Sequence, residues 1–305
     1  MKSFLLVLIS IALSPALHSQ GCSDAGFCSL GILKNNAPGT GKKYSIAIGA
    51  SYGAGEQNTS SFNPYLEYSV KANKNFSYQL KITSVYANGF LGSNFNLGDV
   101  FGFVNYIVKP KSINKLSFLS GIKIPLSYSN DKNKNGMPLP LDYQSSIGSF
   151  DLIEGINYII REKWELNAGI QIPVVQKNKN TFFPDEYSDP RINNFPATNN
   201  FKRKSDALLR IGHYIFIKKS SITLKPNILA IYHLGEDSYE NRLGKRENIN
   251  GSDGVTMNAA IIATKRFKNN NQLELITAAP FIVRDVRPDG LTRSVVVNIQ
   301  YSFIF

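Results

Sequence analysis

From residue 44 onward, apolar and polar residues alternate along most of the chain. In the first stretch, Tyr44, Ile46, Ile48 and Tyr52 fall on one face, with small or polar residues on the other. Because successive side chains of a strand point to opposite faces, this period of two predicts β-strands with one apolar face. About twelve such stretches follow one another: 44–53, 64–71, 76–86, 97–108, 116–128, 149–161, 164–175, 206–218, 221–234, 255–267, 272–284 and 291–305.

The joints between these stretches alternate in length. Every second joint is short, namely 73–75, 109–115, 161–163, 218–220 and 268–271. The joints between them are mostly longer, namely 54–63, 87–96, 129–148, 177–205 and 235–254, with 285–290 as a short exception. Short turns at one end and long loops at the other are typical of barrels that cross the bacterial outer membrane. The fold class predicted is therefore all-β: a transmembrane antiparallel meander β-barrel of about 12 strands, with short periplasmic turns and long extracellular loops.

The chain ends on an alternating aromatic strand. Tyr301, Phe303 and Phe305 share one face, and Phe305 carries the terminal carboxylate. This strand resembles the closing strand of bacterial outer-membrane β-barrels. The resemblance implies that these three residues are the signal that the barrel assembly machinery recognises. The alternative is an ordinary C-terminal edge strand of a soluble sheet.

The other terminus predicts export. Lys2 is followed by an apolar run of about ten residues, which is typical of a secretory signal peptide and too short to span a bilayer as a helix. We expect cleavage after Ser19. The predicted organisation is a signal peptide over 1–19, a Cys-containing segment over 20–43 and a barrel over 44–305. The expected location is the cell outer membrane, where the barrel contacts outer-membrane lipid.

Composition and charge agree with this location. The mean hydropathy of −0.16 argues against a helical membrane protein but suits strands that are only half apolar. A net charge of +12 would favour nucleic acid as a partner of a cytoplasmic protein. We expect no nucleic-acid partner here, because the chain is exported and its basic residues are dispersed. No phosphate loop is present, and we expect no cofactor.

Two cysteines, Cys22 and Cys28, lie close together after the expected cleavage site. In an oxidising compartment such a pair most simply forms a local disulfide. Lipidation of Cys22 is the alternative, although the usual Leu three residues before the cysteine is missing. The spacing is not that of a metal or redox pair.

A motif recurs in two strands of the same direction: Gly121–Pro125 and Gly169–Pro173 both read Gly-Ile-x-Ile-Pro. Proline removes a donor from the strand ladder, so both sites predict bulges or kinks. Paired motifs of this kind resemble those of outer-membrane transporters for fatty acids and aromatic hydrocarbons, including the phenol-degradation meta-pathway family. The resemblance implies transport, with residues 20–43 as a plug in the lumen. A periplasmic lead is the other interpretation of that segment.

Charged residues fall on the predicted inner face. They are Lys81, Lys123, Arg210, Lys225, Arg266 and Arg284, together with Glu67, Glu165 and Glu274. Rings of Arg and Lys in a pore favour anions. These residues therefore predict a pathway for anionic or polar-headed solutes. Alternatively, they pair with one another and close the interior.

One predicted extracellular loop resembles a calcium loop. Asp131, Asn133 and Asn135 precede Gly136, and Asp142 stands at position twelve. Pro138 interrupts this loop and lysines alternate with its ligands, so ordinary loop chemistry is the competing interpretation.

Enzyme chemistry has little basis in this sequence. After residue 19 the only histidines are His213 and His233, and neither lies in a motif typical of outer-membrane phospholipases. His233 near Glu236 and Asp237 could form an acid–base pair, although a polar rim cluster is commoner. We therefore expect a non-enzymatic channel or transporter for small solutes. The alternative is a closed structural or adhesion barrel whose long loops bind an external partner.

Overall fold

A computed structural model describes residues 43–55, 58–289 and 293–305. Its strands are β1 (Tyr44–Gly55), β2 (Ser60–Lys71), β3 (Phe76–Gly89), β4 (Gly92–Ile107), β5 (Lys115–Pro125), β6 (Ser149–Ile160), β7 (Trp164–Gln176), β8 (Asp206–His213), β9 (Ile215–Ile217), β10 (Ile222–His233), β11 (Ser238–Glu240), β12 (Arg246–Asn248), β13 (Gly254–Arg266), β14 (Gln272–Ile282) and β15 (Arg293–Ile304).

The strands form a closed antiparallel barrel. Each barrel strand pairs with the next along the chain, and β15 pairs with β1 to complete the ring. β8 and β9 both pair with β10 and form one crossing that is interrupted at Tyr214. Counted this way, twelve strands cross the wall, and β11 and β12 form a separate hairpin in the loop after β10. The predicted fold class is confirmed.

The outer face of the wall is apolar. Ile48 on β1 and Leu209 on β8 are 57% and 61% exposed, and their alternating neighbours are similarly exposed. Aromatic residues lie near both ends of the outer face, including Tyr44 and Trp164 at the periplasmic end and Tyr52 and Phe95 at the extracellular end. Such belts lie at the headgroup level of a membrane. Among the described residues, no helix has the length and apolarity needed to cross a bilayer.

Two predicted loops are corrected by the structure. Joint 87–96 is mostly strand, because β3 and β4 continue to a turn at Phe90 and Leu91. Joint 54–63 is likewise shortened, because β1 continues to Gly55 and β2 begins at Ser60. The alternation weakens in both regions since these hairpins rise past the apolar belt. In the β3–β4 hairpin, Ala87, Phe90 and Leu91 pack against the extracellular loops instead of lipid.

Two glycines make room for aromatic rings inside the barrel. A Cβ atom on Gly49 would lie 2.3 Å from the ring of Tyr65, its cross-strand partner. A Cβ atom on Gly121 would lie 2.1 Å from the ring of Phe103, which is paired with it in the same way. Both rings therefore lie flat against the inner wall, where any larger side chain would displace them.

Both repeated prolines lie beside irregularities in the ladder. Pro173 pairs with Asp151, where the register between β6 and β7 shifts. Pro125 pairs with Asp99, close to the shift between β3 and β4. Thr83 fills that second irregularity, since its hydroxyl donates to the Asp99 carbonyl and accepts from the Asp99 amide. The bulge predicted at Pro173 is therefore present, whereas the β5 ladder at Pro125 is regular and the nearby irregularity lies one strand away, between β3 and β4.

The capped lumen as candidate functional site

The extracellular loops pack together into a cap, which we define as residues 126–148, 177–205, 234–253 and 283–289. Two apolar clusters hold it together. One consists of Ala87, Leu139, Tyr143, Phe182, Ile192 and Phe195. The other consists of Leu141, Ile147, Phe201 and Ile249. Burial raises the pKa of Tyr143 to about 12, so its phenol stays neutral inside the first cluster.

The cap enters the mouth of the barrel. The hydroxyl of Ser146 donates to Asp99 Oδ1 at 2.6 Å, and the hydroxyl of Ser145 donates to the Leu97 carbonyl at 2.8 Å. Nearer the rim, Asn94 Nδ2 donates to the carbonyl of Tyr143 at 3.1 Å. Asp99 and Asn94 belong to the inner side of β4. Residues 143–146 therefore line this wall from inside the extracellular opening.

A buried histidine joins the cap to the wall. Nδ1 of His233 lies 2.6 Å from Asp206 Oδ1, and its Nε2 lies 2.7 Å from Asp237 Oδ1. Carboxylates only accept hydrogen bonds, so two donated N–H groups, as in the imidazolium form, satisfy this geometry. The ring is 1% exposed and both nitrogens are engaged. The predicted partner Glu236 is replaced by Asp206, which the sequence places 27 residues away.

Arginines complete this layer under the cap. Arg203 bonds Asp206, and Nη2 of Arg284 donates to Asp289 Oδ1 at 2.5 Å. Burial alone would raise the pKa of the Asp289 carboxyl, but the guanidiniums of Arg284 and Arg203 bring it well below its usual range. Burial raises the pKa of Asp237. We define the ionic layer as the buried charged residues under the cap and on the adjoining inner wall: Arg203, Arg284, Asp289, Asp237, Asp206, His233, Lys123, Asp151 and Asp99.

Lys123 extends the ionic layer across the inner wall. Its Nζ lies 2.9 Å from Asp151 Oδ2 and 4.0 Å from Asp99 Oδ2. It also donates to the Ser149 hydroxyl at 3.2 Å. Three neighbouring strands thus meet at one buried ammonium group. Lys123 is one of the predicted inward residues, whereas its two acidic partners were not among them.

A second ionic group lies lower in the lumen. Lys225 Nζ lies 2.6 Å from Glu165 Oε2, which also accepts from the Tyr214 hydroxyl at 3.0 Å. Beside it, Arg210 Nε donates to Asn167 Oδ1 at 2.7 Å. All three predicted charged residues of this group are buried.

The opposite inner wall is built around Tyr65. The Nζ atom of Lys81 lies 4.0 Å above the centroid of its ring, a cation–π contact. The Tyr65 hydroxyl donates to Gln300 Oε1 at 2.9 Å. Glu67 pairs with Lys81 in the β2–β3 ladder, and Glu274 lies on β14 within reach of the Thr264 hydroxyl at 3.5 Å.

The remaining two predicted inward residues lie at the ends of the barrel. Arg266 is half-buried at the periplasmic end of β13. Arg284 is buried but lies beyond the end of β14, in the cap, and is therefore not a strand residue as predicted.

An apolar band separates parts of this polar lining. It consists of Phe101, Phe103, Leu119, Ile153, Leu208, Leu229 and Ile231, all buried and all from β4, β5, β6, β8 and β10. The inner wall therefore carries both apolar and charged surface.

The predicted calcium loop is ordered by hydrogen bonds to β4 and within the loop. The two oxygens of Asp131 accept from the amides of Asn94 and Asn96, at 2.8 and 3.0 Å. Asn133 Oδ1 accepts from the backbone amides of Asn135 and Met137, both at 3.0 Å. Asp142 is buried in a 3₁₀ turn. In the described part of the chain, no group of three or more His, Cys, Asp or Glu side chains is placed to hold a metal.

The terminal aromatic strand lies where the ring closes. The backbone of Phe305 exchanges two hydrogen bonds of 3.0 Å with Tyr44, and their rings stack at 6.1 Å. Tyr301 and Phe303 are in edge contact at 4.8 Å. Cys22 and Cys28, by contrast, lie outside the described residues.

Comparisons with known proteins agree on the architecture. No protein-family model and no curated protein sequence matches this chain. Among solved structures, an outer membrane channel from Pseudomonas putida F1 is similar with a TM-score of 0.59 at 13% identity, covering 87% of this chain and 96% of that one. Weaker matches include the NanC porin (TM-score 0.46, 8% identity, 85% and 98% coverage) and the Pseudomonas putida toluene transporter TodX (0.43, 10%, 88% and 91%). The first of these matches, together with the closed antiparallel ring, shows the fold of an outer-membrane β-barrel, and that part of the predicted resemblance is confirmed.

Proposed function

We propose that this protein is an outer-membrane channel for small solutes whose extracellular mouth is closed by the cap. The observation that carries this proposal is the insertion of residues 143–146 into the mouth, over an inner wall with both apolar and charged surface. A barrel of about eight strands is filled by its own side chains, so a twelve-strand wall leaves room that loops have to fill. Opening then requires the cap to move while the wall stays intact.

The arrangement of charges favours uncharged polar or zwitterionic solutes over anions. The predicted inward cations Lys123 and Lys225 each have a buried carboxylate within 3 Å, at 2.9 and 2.6 Å. Asp99, a second acid beside Lys123, adds further negative charge that balances the basic residues of the inner face. A lumen with paired charges presents a weaker field to ions than a ring of like charges does.

A flux assay with a loosened cap tests the proposal. Leu139→Ser together with Phe182→Ser removes two fully buried apolar groups from the first cap cluster. Proteoliposomes that contain this variant should swell faster in neutral sugars than those with the unaltered protein. The swelling rate should fall sharply above a certain sugar size. Leu243→Ser is the matched control, since this residue is 83% exposed. Equal swelling for all three proteins would contradict a gated channel.

The closed structural barrel remains the second candidate, and the ionic layer favours it. Salt bridges that connect the cap to several strands would also suit a permanently sealed interior. In that case the loosened cap should change stability without permitting flux of any solute, and binding of an external partner would be the activity to seek.

We propose further that residues 1–19 direct export and that residues 20–43 act on the lumen as a plug closed by the Cys22–Cys28 disulfide. Such a small loop contributes roughly 2 kcal/mol to local order, so Cys22→Ser with Cys28→Ser should leave the barrel folded. A plug would make the conductance of that variant noisier, and a periplasmic lead would leave it unchanged.

A further inference from the structure

Four lysines form an outward-facing patch just above the barrel wall. Lys177 and Lys179 follow directly on β7, and Lys202 and Lys204 lie on the segment that leads into β8. All four are exposed. We name these four residues the outer lysine patch.

Alternation fixes the direction in which these lysines point. Asn178, between Lys177 and Lys179, is buried, and so is Asn180, which follows them. In the second segment, Phe201 and Arg203 on either side of Lys202 are buried too. Side chains of extended segments alternate between faces, so the lysines occupy the face opposite the buried residues. The buried face belongs to the cap. The lysines therefore face the surrounding membrane and not the lumen.

Hydrogen bonds from backbone amides hold the two segments side by side. The amide of Arg203 donates to Gln176 Oε1 at 2.6 Å, and the amide of Phe201 donates to Asn178 Oδ1 at 3.1 Å. The amide of Asn200 donates to the carbonyl of Asn180 at 2.8 Å. The four ammonium groups thus extend from a single surface with fixed backbones.

The patch lies at the height of the extracellular aromatic belt. Lys177 Nζ is 5.7 Å from the ring centroid of Phe150, and Lys179 Nζ is 5.4 Å from that of Tyr128. The ring of Phe150 lies on the outer face at the extracellular end of β6. The ring of Tyr128 lies on the same face just after the extracellular end of β5. Aromatic belts mark the headgroup level, so the ammonium groups lie where the headgroups of the outer leaflet begin.

The surrounding charges leave the patch positive. Asp131, the acid near Tyr128 in sequence, faces inward and accepts from Asn94 and Asn96. Glu236 follows Gly235, which the Lys204 stem approaches, and is half-buried. One carboxylate there would offset one of the four ammonium groups and leave the patch with a net positive charge. Clusters of Lys beside a membrane surface recognise anionic headgroups.

We propose that the outer lysine patch binds the phosphorylated headgroup of an outer-leaflet lipid. The partner is a lipid carrying phosphate at the height of the belt, held by four ammonium groups above the rings of Phe150 and Tyr128. The site lies on the outside of the wall, so it does not depend on whether the lumen conducts.

Lipid binding by a charge-neutralised variant tests this site. The full chain, refolded in neutral detergent, is titrated with bisphosphorylated lipid A, and bound lipid is counted by native mass spectrometry. In the test variant, Lys177, Lys179, Lys202 and Lys204 are each changed to Gln. The matched control carries the same change at Lys109, Lys111, Lys218 and Lys219, which are exposed in periplasmic turns.

The two variants should differ in affinity. The test variant should bind the lipid at least about tenfold more weakly, whereas the control should match the unaltered protein. Arg at all four patch positions should restore binding, and dephosphorylated lipid A should bind the unaltered protein no better than lipid A binds the test variant. Equal affinity of test and control variants, or equal binding of the dephosphorylated lipid, would overturn the proposal. If the quadruple variant does not fold, the doubles Lys177→Gln with Lys179→Gln and Lys202→Gln with Lys204→Gln should each lose part of the affinity.

Discussion

Lys225 on β10 and Glu165 on β7 are linked inside the barrel, with Nζ 2.6 Å from Oε2, although β8 lies between their strands. From the interruption between β8 and β9, the Tyr214 hydroxyl donates to the same carboxylate at 3.0 Å. A ladder joins only neighbouring strands, whereas this contact joins strands two apart. The inner wall is therefore braced by side chains as well as by the backbone.

Removing one partner of this pair should destabilise the barrel. Lys225→Met would leave the Glu165 carboxylate buried without its cation, which costs on the order of 3 kcal/mol. Adding Glu165→Gln to the same protein should recover much of that loss. Heat modifiability on gels measures the unfolding temperature of each variant. Glu162→Gln, whose partner Lys115 lies in an exposed pair, is the control and should change it little.

The contact of Asp289 with Arg284 should fail in acid. The pKa of Asp289 is lowered in the folded protein, so its contribution to stability is present above its ordinary pKa and is lost as pH falls. We expect amide hydrogen exchange in residues 283–289 to accelerate progressively as pH falls from about 4 toward the lowered pKa of Asp289, after correction for intrinsic rates. Asp289→Asn should show fast exchange at pH 7 already, and Asp285→Asn, an exposed neighbour, should behave like the unaltered protein. Identical pH profiles for all three would refute this account.

Deletion of Phe305 should impair insertion into the outer membrane without affecting export. The deletion removes the last pair of backbone bonds between β15 and β1, which join Phe305 to Tyr44, as well as the aromatic terminus that resembles an assembly signal. The amount of folded, heat-modifiable protein in the membrane fraction measures the loss. Phe95→Ala, an exposed aromatic at the other end of the barrel, should insert normally. Equal insertion of the truncated and full-length proteins would remove the role assigned to Phe305.

The topology predicts which positions face the cell exterior. In a background of Cys22→Ser and Cys28→Ser, single cysteines at Asn194 and Asn248 should react with an impermeant maleimide on intact cells. Both positions are exposed on the cap. A cysteine at Asn269, exposed in the turn after β13, should stay unlabelled. Labelling of Asn269 alone would invert the orientation.

The sequence predicts the wall better than the mouth. Along β1 and β7, lipid on one side and polar lining on the other impose a period of two, which can be recognised without a structure. The hairpin of β3 and β4 loses that period above the belt, since its outer end packs against the cap. The sequence therefore indicates a loop where strands continue.

The ionic layer could not have been predicted from strand alternation. Asp206 and Asp237 meet at His233 only because loops fold into the mouth, and no local pattern specifies that return. Lys123 could be assigned to the inner face by register, whereas its partner Asp151 lies on a strand whose faces are ambiguous because Glu154 interrupts the apolar side. Glu154 in fact faces outward and accepts from the Ser120 hydroxyl at 2.7 Å.

The most direct test of the gated channel is single-channel recording in planar bilayers. The unaltered protein should be mostly closed, with rare discrete openings. The Leu139→Ser, Phe182→Ser variant should be open for a much larger fraction of the time at the same unit conductance, because the wall is unchanged, and Leu243→Ser should match the unaltered protein. Silence from all three folded proteins would contradict the account and leave a sealed barrel.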